Sequence, residues 1–425
     1  MKITIISFIL VFVISLAYAE KTGEQPNSCR QKIQVPQVKV EVVAQYKNEP
    51  ANAFDSSAPA LMPNGLVAMV DKVGNIQYFD QKGKPIGKKI NTMVDTPVQL
   101  LPLKNNGLAL SGIDGSLCVV SPDGTYKAVY LEKKGRDYSK DLNILEHDGK
   151  IWCYREGSKE IKVVDPQTMA VEKTIKAKHP MGKALLITAE GMIYLSTSKN
   201  VLYPLEGKNK QLSNLPIENL LSPIQVMEDG TQVIGVQDKK LLAMGPDGQF
   251  KTVGSIAKKS DINRVILKKN GEMATLTTAP ANSTDFRVIK KNGDILTSTF
   301  RGELSRPRPV ELPGGFLAVV LNSPGKMVFL GPEGGVAGVH ELDSTVFNTP
   351  LVLEDGTMVI AKGRGQVDFI KVKQTGNLQE DTVTILPCDA SQPTGPKNIG
   401  QGEAQTGNKT KASTGTSSSE NVVGQ

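Results

Sequence analysis

The sequence predicts an all-β protein that folds as an eight-bladed β-propeller of four-stranded antiparallel blades. Three observations indicate this fold: a turn that recurs about every 40 residues, short apolar runs between the turns, and no stretch with helical periodicity. Glycine is the second residue of the turn, and successive glycines are separated by 42, 42, 42, 39, 41, 44 and 41 residues. The turns are Asn64-Gly65, Asn106-Gly107, Asp148-Gly149, Glu190-Gly191, Asp229-Gly230, Asn270-Gly271, Gly314-Gly315 and Asp355-Gly356.

Each repeat reads as four strands, A to D. An apolar run precedes the recurring turn, and two β-rich runs, a second turn and a fourth run follow it. Asn-Gly and Asp-Gly favour a type I′ hairpin turn, in which both central residues have positive φ. The second turns lie at Gly83, Gly124, Gly207, Gly248, Gly293, Gly334 and Gly376, and Asp165-Pro166 replaces the glycine turn in the third repeat. Eight repeats of four strands therefore predict eight blades.

The two ends of the repeat region predict how the ring closes. In the last repeat, strands A to C are expected at residues 350–353, 357–361 and 367–372, and a fourth strand is less clear, with residues 382–386 as a candidate. Residues 38–46 form a further β-rich run before the first repeat. We expect this N-terminal strand to complete the last blade, so that residues 38–388 form a propeller without an open edge.

The termini outside the propeller indicate export. Lys2, an apolar run over residues 3–16 and Ala17-Tyr18-Ala19 have the pattern of a signal peptide over residues 1–19, followed by a linker over residues 20–37. No second apolar run is long enough to span a membrane. We therefore expect no transmembrane segment and a location in the periplasm or outside the cell. Residues 389–425 are rich in small and polar residues and are expected to form a disordered low-complexity tail.

Four cysteines occur in the chain. Cys29 and Cys388 flank the expected closure, and in an oxidising compartment they form a candidate disulfide, although the sequence leaves open whether they are paired. Cys118 and Cys153 lie in strands of neighbouring blades. A bridge between them is an alternative, but two buried, unpaired residues are favoured.

The residues of several repeats resemble the blade pattern of the PQQ-like, quinoprotein-type propeller superfamily. Ser57-Ala58-Pro59-Ala60-Leu61 with Gly65, followed by Asp80 and Gly83-Lys84, is similar to that pattern, and Thr349-Pro350-Leu351 with Asp355-Gly356 repeats it. The resemblance covers roughly residues 38–376 and points to the non-catalytic, BamB-like branch. Two departures are the single tryptophan, Trp152, where many such blades carry a closing Trp, and the absence of a lipoprotein signal before Cys29.

Catalytic motifs are not found. The three histidines, His147, His179 and His340, fall in different repeats and have no metal-ligand spacing, so we expect neither a metal nor a cofactor. A quinoprotein dehydrogenase needs adjacent cysteines beside its cofactor, and the chain has none. We therefore expect no enzyme activity. The alternative is a propeller hydrolase or lyase, or a small-ligand binder, that uses the central channel.

Basic residues concentrate in the connections from strand D to the next strand A, which leave a propeller on the same face as the turns from B to C. The candidate partner-binding residues are Lys133, Lys134, Arg136, Lys258, Lys259, Arg301, Arg306 and Arg308. The connections also carry Lys140, Lys176, Lys178 and His179, and the turns from B to C carry Lys72, Lys199, Lys239, Lys240, Lys362 and Arg364. In Ser305-Arg306-Pro307-Arg308-Pro309, the prolines are expected to hold both arginines on a stiff loop. Such a face favours an acidic protein surface or an anionic envelope polymer, whereas an ordinary solvated surface is the equally weighted alternative.

Composition limits the other function classes. The net charge of +7 arises from 50 basic and 43 acidic residues, which does not indicate a nucleic-acid partner. We expect a monomeric, exported, non-enzymatic interaction scaffold of the bacterial cell envelope, with a protein or anionic polymer as its partner. A eukaryotic secreted protein, glycosylated at Asn282 and Asn408, is a further alternative.

Overall fold

The computed structural model describes residues 29–48, 54, 57–92, 94–131, 141–188, 191–196, 201–205, 219–226, 231–237, 240–245, 250–255, 265–279, 283–291, 294–302, 304, 307–321 and 325–386. Within these ranges the regular structure is strand, together with two short 3-10 turns at Pro313–Gly315 and Gly363–Gly365. No helix in the described part of the chain has the length and apolar character that a membrane crossing requires.

The described residues contain thirty-one strands. They are β1 (Cys29–Lys47), β2 (Ala60–Leu61), β3 (Val67–Val70), β4 (Asn75–Phe79), β5 (Pro85–Asn91), β6 (Pro97–Pro102), β7 (Leu108–Gly112), β8 (Ser116–Val120), β9 (Tyr126–Tyr130), β10 (Leu142–His147), β11 (Lys150–Arg155), β12 (Glu160–Val164), β13 (Val171–Lys176), β14 (Met181–Thr188), β15 (Gly191–Ser196), β16 (Val201–Pro204), β17 (Asn219–Val226), β18 (Gln232–Gln237), β19 (Lys240–Met244), β20 (Phe250–Ser255), β21 (Val265–Leu267), β22 (Met273–Ala279), β23 (Ser283–Ile289), β24 (Ile295–Arg301), β25 (Val310–Glu311), β26 (Leu317–Leu321), β27 (Lys326–Leu330), β28 (Val336–Glu341), β29 (Leu351–Val352), β30 (Thr357–Lys362) and β31 (Gln366–Leu386).

The strands pair with their sequence neighbours in antiparallel sheets. Sheet I contains β2 to β5, sheet II β6 to β9, sheet III β10 to β13, sheet V β17 to β20 and sheet VII β25 to β28, and sheet IV contains the three described strands β14 to β16. Sheet VI (β21 to β24) and sheet VIII (β29, β30, β31 and β1) are joined through the end of β31 into one eight-stranded sheet. The meander of four strands per unit confirms the prediction of four-stranded antiparallel blades.

Burial changes systematically across each sheet. The second strands β3 and β7 are buried at every residue, whereas the outer strands β5 and β9 are largely exposed. A strand that is covered on both faces must be apolar throughout, and this explains the continuous apolar runs after each recurring turn.

The buried apolar residues form clusters between neighbouring sheets. Ala68 and Val70 of β3 pack with Leu108 and Leu110 of β7, between sheets I and II. Each fully buried Leu or Val of such a cluster contributes about 2 kcal/mol of transfer free energy. Sheets I and VIII also pack on each other, where the ring centroids of Phe79 and Phe369 lie 5.7 Å apart. The first and last repeats are therefore neighbours in space.

The recurring turn of the third repeat has the predicted type, whereas that of the first repeat differs from it. Asp148 and Gly149 both have positive φ, at 51° and 71°, as a type I′ turn requires. In the first repeat only Gly65 does, at 82°, and its N–H donates to the Met62 carbonyl at 2.9 Å. Pro63 occupies the second position of that turn, and proline cannot adopt positive φ, so the turn is a type I turn that ends in a left-handed glycine.

Strands β1 and β31 form a long two-stranded ribbon. Residues 38–47 of β1 pair with residues 366–374 of β31, and this places β1 as the outer strand of sheet VIII. The N-terminal strand therefore lies beside the last repeat, as expected. The pairing begins at Cys29 rather than at Val38, so residues 29–37 belong to the strand as well.

The ribbon continues past sheet VIII to sheet VI. Residues 384–386 of β31 pair with β24, the outer strand of sheet VI, rather than adding a fourth strand to the last repeat. Between the two sheets, Val35 of β1 lies against sheet VII, where a Cβ added to Gly335 would meet its side chain at 2.5 Å. Cys388, the expected partner of Cys29, lies outside the described residues. Cys118 and Cys153 are buried free thiols, which confirms the favoured prediction for that pair.

Candidate functional site

The connections from strand D to strand A and the turns from B to C lie together on one side of the sheets. We call this surface the connection face. The N–H of Thr96, between β5 and β6, donates to the Lys72 carbonyl at 3.1 Å, and the N–H of Met181, after β13, donates to the Ser158 carbonyl at 2.9 Å. The N–H of Gly363 likewise donates to the Thr345 carbonyl at 2.8 Å. In each of these units the connection is therefore fixed to the turn beside it, which confirms the expected grouping.

Buried polar groups fix the face where sheets VIII and I meet. The N–H of Asn48, at the end of β1, donates to the Gly365 carbonyl at 2.6 Å, and its side-chain amide donates to Asp71 at 3.1 Å. Asp71 also accepts the N–H groups of Val73 and Asn75 at 3.1 and 2.9 Å. One buried carboxylate thus organises the turn of sheet I and ties it to the end of β1.

Lys362 is a basic residue of the predicted set, and its charge is compensated inside the protein. Its ammonium group lies 2.6 Å from Asp343 and 2.6 Å from Asp368, and its side chain is 2% exposed. The neighbouring Arg364 is exposed and has a φ of 62°. Lys362 therefore holds the turn in place, and Arg364 presents its charge to solvent.

Two of the eight candidate partner-binding residues lie in the described part of the chain. Arg301 is exposed at the end of β24. Arg308 is half-buried between the buried residues Pro307 and Pro309, and its N–H donates to the Thr349 hydroxyl at 3.0 Å. Burial lowers the pKa of the Arg308 guanidinium to about 10, so the group stays charged at neutral pH. The other six lie outside the described residues; they are Lys133, Lys134, Arg136, Lys258, Lys259 and Arg306.

Among the described residues, basic side chains outnumber acidic ones on the connection face. Counted over the connections, the turns and the strand residues that border them, the exposed or half-buried basic residues are Lys47, Lys72, Lys159, Lys176, Lys178, Lys240, Arg301, Arg308, Lys326 and Arg364. The acidic residues counted in the same way are Asp95, Asp114, Asp141, Glu156, Glu160, Glu341 and Asp343. Because exposed charges of one sign add their fields over a surface, the described part of this face carries a net positive potential.

Phe347 was missed by the sequence analysis. It lies in the connection between β28 and β29 and is 42% exposed, while Val346 beside it is buried. The side-chain amide of Asn348 donates to the Ser57 carbonyl at 2.9 Å and holds this connection against the chain that precedes β2. Exposed aromatic rings are enriched in protein interfaces. The position of Phe347 in a connection between two β-rich runs was the signal available in the sequence.

The histidines do not form a catalytic cluster. His147 lies beside Asp148 at 3.3 Å, His179 packs on Tyr203 with ring centroids 4.6 Å apart, and His340 lies opposite Met327 in sheet VII. In the described ranges, no three or more His, Cys, Asp or Glu side chains converge as metal ligands would. The chemistry of the described site is therefore that of a charged surface with one exposed aromatic ring.

A concave site lies away from the connection face, between β1 and the turns of sheets VI and VII. It has a volume of about 910 Å³ and is lined by residues such as Lys32, Glu272, Lys290 and Glu333. Lys290 lies 3.1 Å from Glu272 and 2.7 Å from Glu333, so its charge is compensated locally. This cleft is polar but carries no excess of one charge to attract an ionic partner.

Comparisons with known proteins give likeness of structure only. No family model matches the chain, and no curated protein matches it in sequence. Among solved structures, BamB from Moraxella catarrhalis is similar with a TM-score of 0.53 and 11% identity, over 78% of this chain and 98% of that chain. A streptogramin B lyase has a TM-score of 0.47 and 12% identity, over 79% of this chain and 98% of that chain. The WD40 propeller domain of Doa1 has a TM-score of 0.45 and 12% identity, over 79% of this chain and 97% of that chain. The antiparallel four-stranded sheets and the likeness to BamB together show that this chain has a BamB-like β-propeller fold.

Proposed function

We propose that the protein is an exported, non-enzymatic interaction scaffold of the bacterial cell envelope. Its connection face binds an acidic protein, or an anionic envelope polymer, through exposed basic side chains around Phe347. The observation that carries the proposal is the excess of exposed basic groups over acidic ones on that face. The signal-peptide pattern of residues 1–19 supports export, and the likeness of fold to BamB is compatible with a scaffold.

The proposal includes a ring of eight blades that is closed by β1. The pairing of β1 with β31 and the apolar contact between sheets I and VIII support closure. The eight recurring turns of the sequence support the number of blades. A ring of this kind presents its connections on one rigid surface, and that surface can order several weak charge contacts into one specific interface.

Affinity capture from a bacterial envelope extract tests the proposal, with the mature chain as bait at low and then at physiological salt. The double variant Lys178→Glu with Arg301→Glu reverses two exposed charges on the connection face. We expect it to recover at least about tenfold less of the captured partner, because like charges across an interface repel. Salt is expected to weaken capture by the wild type, because exposed charges are screened.

The matched control reverses two exposed lysines away from the connection face, Lys82→Glu with Lys291→Glu, and changes the net charge by the same amount. Equal capture by both double variants would show that net charge alone matters and would refute a binding face. A second pair, Arg306→Glu with Arg308→Glu, tests the proline-flanked arginines in the same assay. Circular dichroism of each variant checks that the fold is retained.

A further inference from the structure

Strand β9 is the outer strand of sheet II, and in the described part of the chain no strand pairs with one row of its backbone groups. The N–H of Ser121 donates to the Thr125 carbonyl at 2.8 Å, and the N–H of Leu131 donates to the Gly115 carbonyl at 3.1 Å. Hydrogen-bonded pairs alternate along an antiparallel ladder. The residues between them, Tyr126, Ala128 and Tyr130, therefore direct their N–H and C=O groups away from β8.

The other outer strands of the described four-stranded units are protected against pairing. β5 begins at Pro85 and has a register shift, and β13, β20 and β28 each have a register shift. β24 is paired with β31, and β1 contains Pro36 and two register shifts. β9 has an unbroken register over all five residues and no proline. Bulges, prolines, covering strands and charged side chains are the usual means by which proteins block an edge, and within the described residues β9 has only the single charged side chain of Lys127.

The side chains of β9 suit a binding edge. Tyr126 is 38% exposed and Tyr130 is 57% exposed, and both lie on the residues whose backbone groups face outward. Tyrosine offers a large contact area with little conformational entropy to lose, and it is enriched among residues that dominate binding energy. The small Ala128 between them leaves space for a side chain of an added strand.

The charged side chains of β5 and β9 indicate which kind of segment would bind at this edge. A Cβ added to Gly124 would lie 3.6 Å from the side chain of Ile90, so β5 of sheet I lies beside the turn that leads into β9. On β9 itself, the Lys127 ammonium group donates to the Gln167 carbonyl of sheet III at 2.8 Å. Together β5 and β9 carry three lysines and no acidic residue: Lys88, Lys89 and Lys127. An acidic segment therefore complements this wall, whereas a basic one is repelled.

A second copy of this chain fits the edge less well. Two basic walls would face each other, and pairing over one five-residue strand would bury less than the about 1,000 Å² that a specific interface needs. A segment of a larger partner can add contacts on the connection face, which begins where β9 ends. We propose that β9 takes up an extended acidic segment of the partner protein as an added strand of sheet II. This inference rests on the proposed scaffold function and assigns the first contact site of its partner.

The synthetic peptide Val-Glu-Val-Thr-Val-Glu-Val tests the edge directly, with Val-Lys-Val-Thr-Val-Lys-Val as its charge control. Site-specific amide hydrogen exchange is measured on the full mature chain with each peptide in excess. We expect the acidic peptide to slow exchange about tenfold at Tyr126, Ala128 and Tyr130 and to leave Lys127 and Val129 unchanged. Equal effects of both peptides, or no alternation between neighbouring amides, would overturn the inference.

A pair of variants at one position separates the backbone contact from the side chain. Ala128→Pro removes the outward N–H but leaves the ladder to β8 intact, and proline is tolerated at such edge positions. The affinity for the acidic peptide should fall about tenfold, because the hydrogen bond from the residue-128 N–H is lost and its carbonyl acceptor on the peptide is left unpaired. Ala128→Val keeps the N–H and should bind as tightly as the wild type. Equal affinities of the two variants would refute strand addition. A dimer in sedimentation that Ala128→Pro dissolves would show that a second copy, and not an acidic segment of a partner, occupies the edge.

The two proposals fail separately. The connection-face variant Lys178→Glu with Arg301→Glu is expected to bind the acidic peptide as the wild type does. Loss of envelope capture in that variant with peptide binding kept supports both proposals. If the wild type captures a partner but protects no alternate amides with the peptide, the β9 inference falls and the scaffold proposal stands.

Discussion

Buried charges of this protein lie where chain segments distant in sequence meet. Lys362 and Asp368 are nearly inaccessible to solvent, and the Asp368 carboxylate also accepts the side-chain amide of Gln45 on β1 at 3.2 Å. A buried charge without its partner is costly, so this pair fixes the position of β1 beside β31. The buried pair of Lys362 and Asp368 therefore determines the geometry of the connection face at this point.

Lys362→Ala is expected to lower the free energy of unfolding by about 3 kcal/mol, because Asp368 would stay buried without a counter-charge. Lys326→Ala is the matched control, since it breaks an exposed pair with Glu341 and should cost less than about 1 kcal/mol. Urea unfolding of both variants measures the difference. Equal losses would mean that burial does not set the cost of the pair.

Asp355 contributes to the pH dependence of the free energy of unfolding. A hydrogen bond from Lys371, at 2.8 Å, lowers the pKa of Asp355 to about 2. A carboxyl whose pKa is lower in the folded state stabilises the fold above its unfolded pKa of about 3.9, and this contribution is lost as the pH falls toward 2. Because both side chains are partly exposed, the contribution is expected to be less than about 1 kcal/mol.

Lys371→Met removes the cause of this shift and tests it. Urea unfolding between pH 6 and pH 2 should show that the free energy of unfolding falls less steeply with decreasing pH in the variant than in the wild type. The two slopes should differ only below about pH 4. Parallel curves would show that Lys371 does not set the pKa of Asp355.

At the scale of elements, the ribbon of β1 and β31 depends on glycines of sheet VII. A Cβ at Gly335 would meet Val35 of β1 at 2.5 Å and Asp381 of β31 at 2.8 Å, which is closer than real contacts allow. Gly335 thus lets both strands of the ribbon pass close to the turn between β27 and β28.

Gly335→Ala and Gly87→Ala separate this steric effect from backbone strain. Both glycines have positive φ, at 75° and 69°, but a Cβ at Gly87 would meet nothing within 4 Å. In each variant the left-handed backbone is expected to lower the free energy of unfolding by about 1 kcal/mol. Gly335→Ala should lower it by a further ~1–3 kcal/mol, because the added Cβ displaces the ribbon. Thermal unfolding compares them, and equal losses would argue against close packing of the ribbon.

At the scale of the whole molecule, the ribbon connects sheet VIII, sheet VII and sheet VI. Val383 of β31 is fully buried in the apolar cluster between sheets VI and VII. These sheets are formed by consecutive repeats: β31 pairs within both sheet VIII and sheet VI, and the ribbon packs on sheet VII between them, so their relative positions are constrained.

Two C-terminal truncations test this role under reducing conditions, which keep any disulfide of Cys388 open. Removal of residues 387–425 leaves every described contact in place and should not change the melting temperature. Removal of residues 377–425 also deletes the paired end of β31 and the buried Val383, and it should lower the free energy of unfolding by about 2–5 kcal/mol. Identical melting curves would show that the ribbon beyond sheet VIII adds no stability.

The repeat pattern by itself determined the all-β class, the four-strand unit and the grouping of connections with turns, because glycine turns and apolar runs are local signals. The neutralised charge of Lys362, the exposure of Phe347 and the half-burial of Arg308 were decided only by the tertiary structure. So were the path of β31 to sheet VI and the unprotected edge of β9. Each depends on which distant segments come together, and the local periodicity of a strand is the same whether its edge is paired, bulged or free.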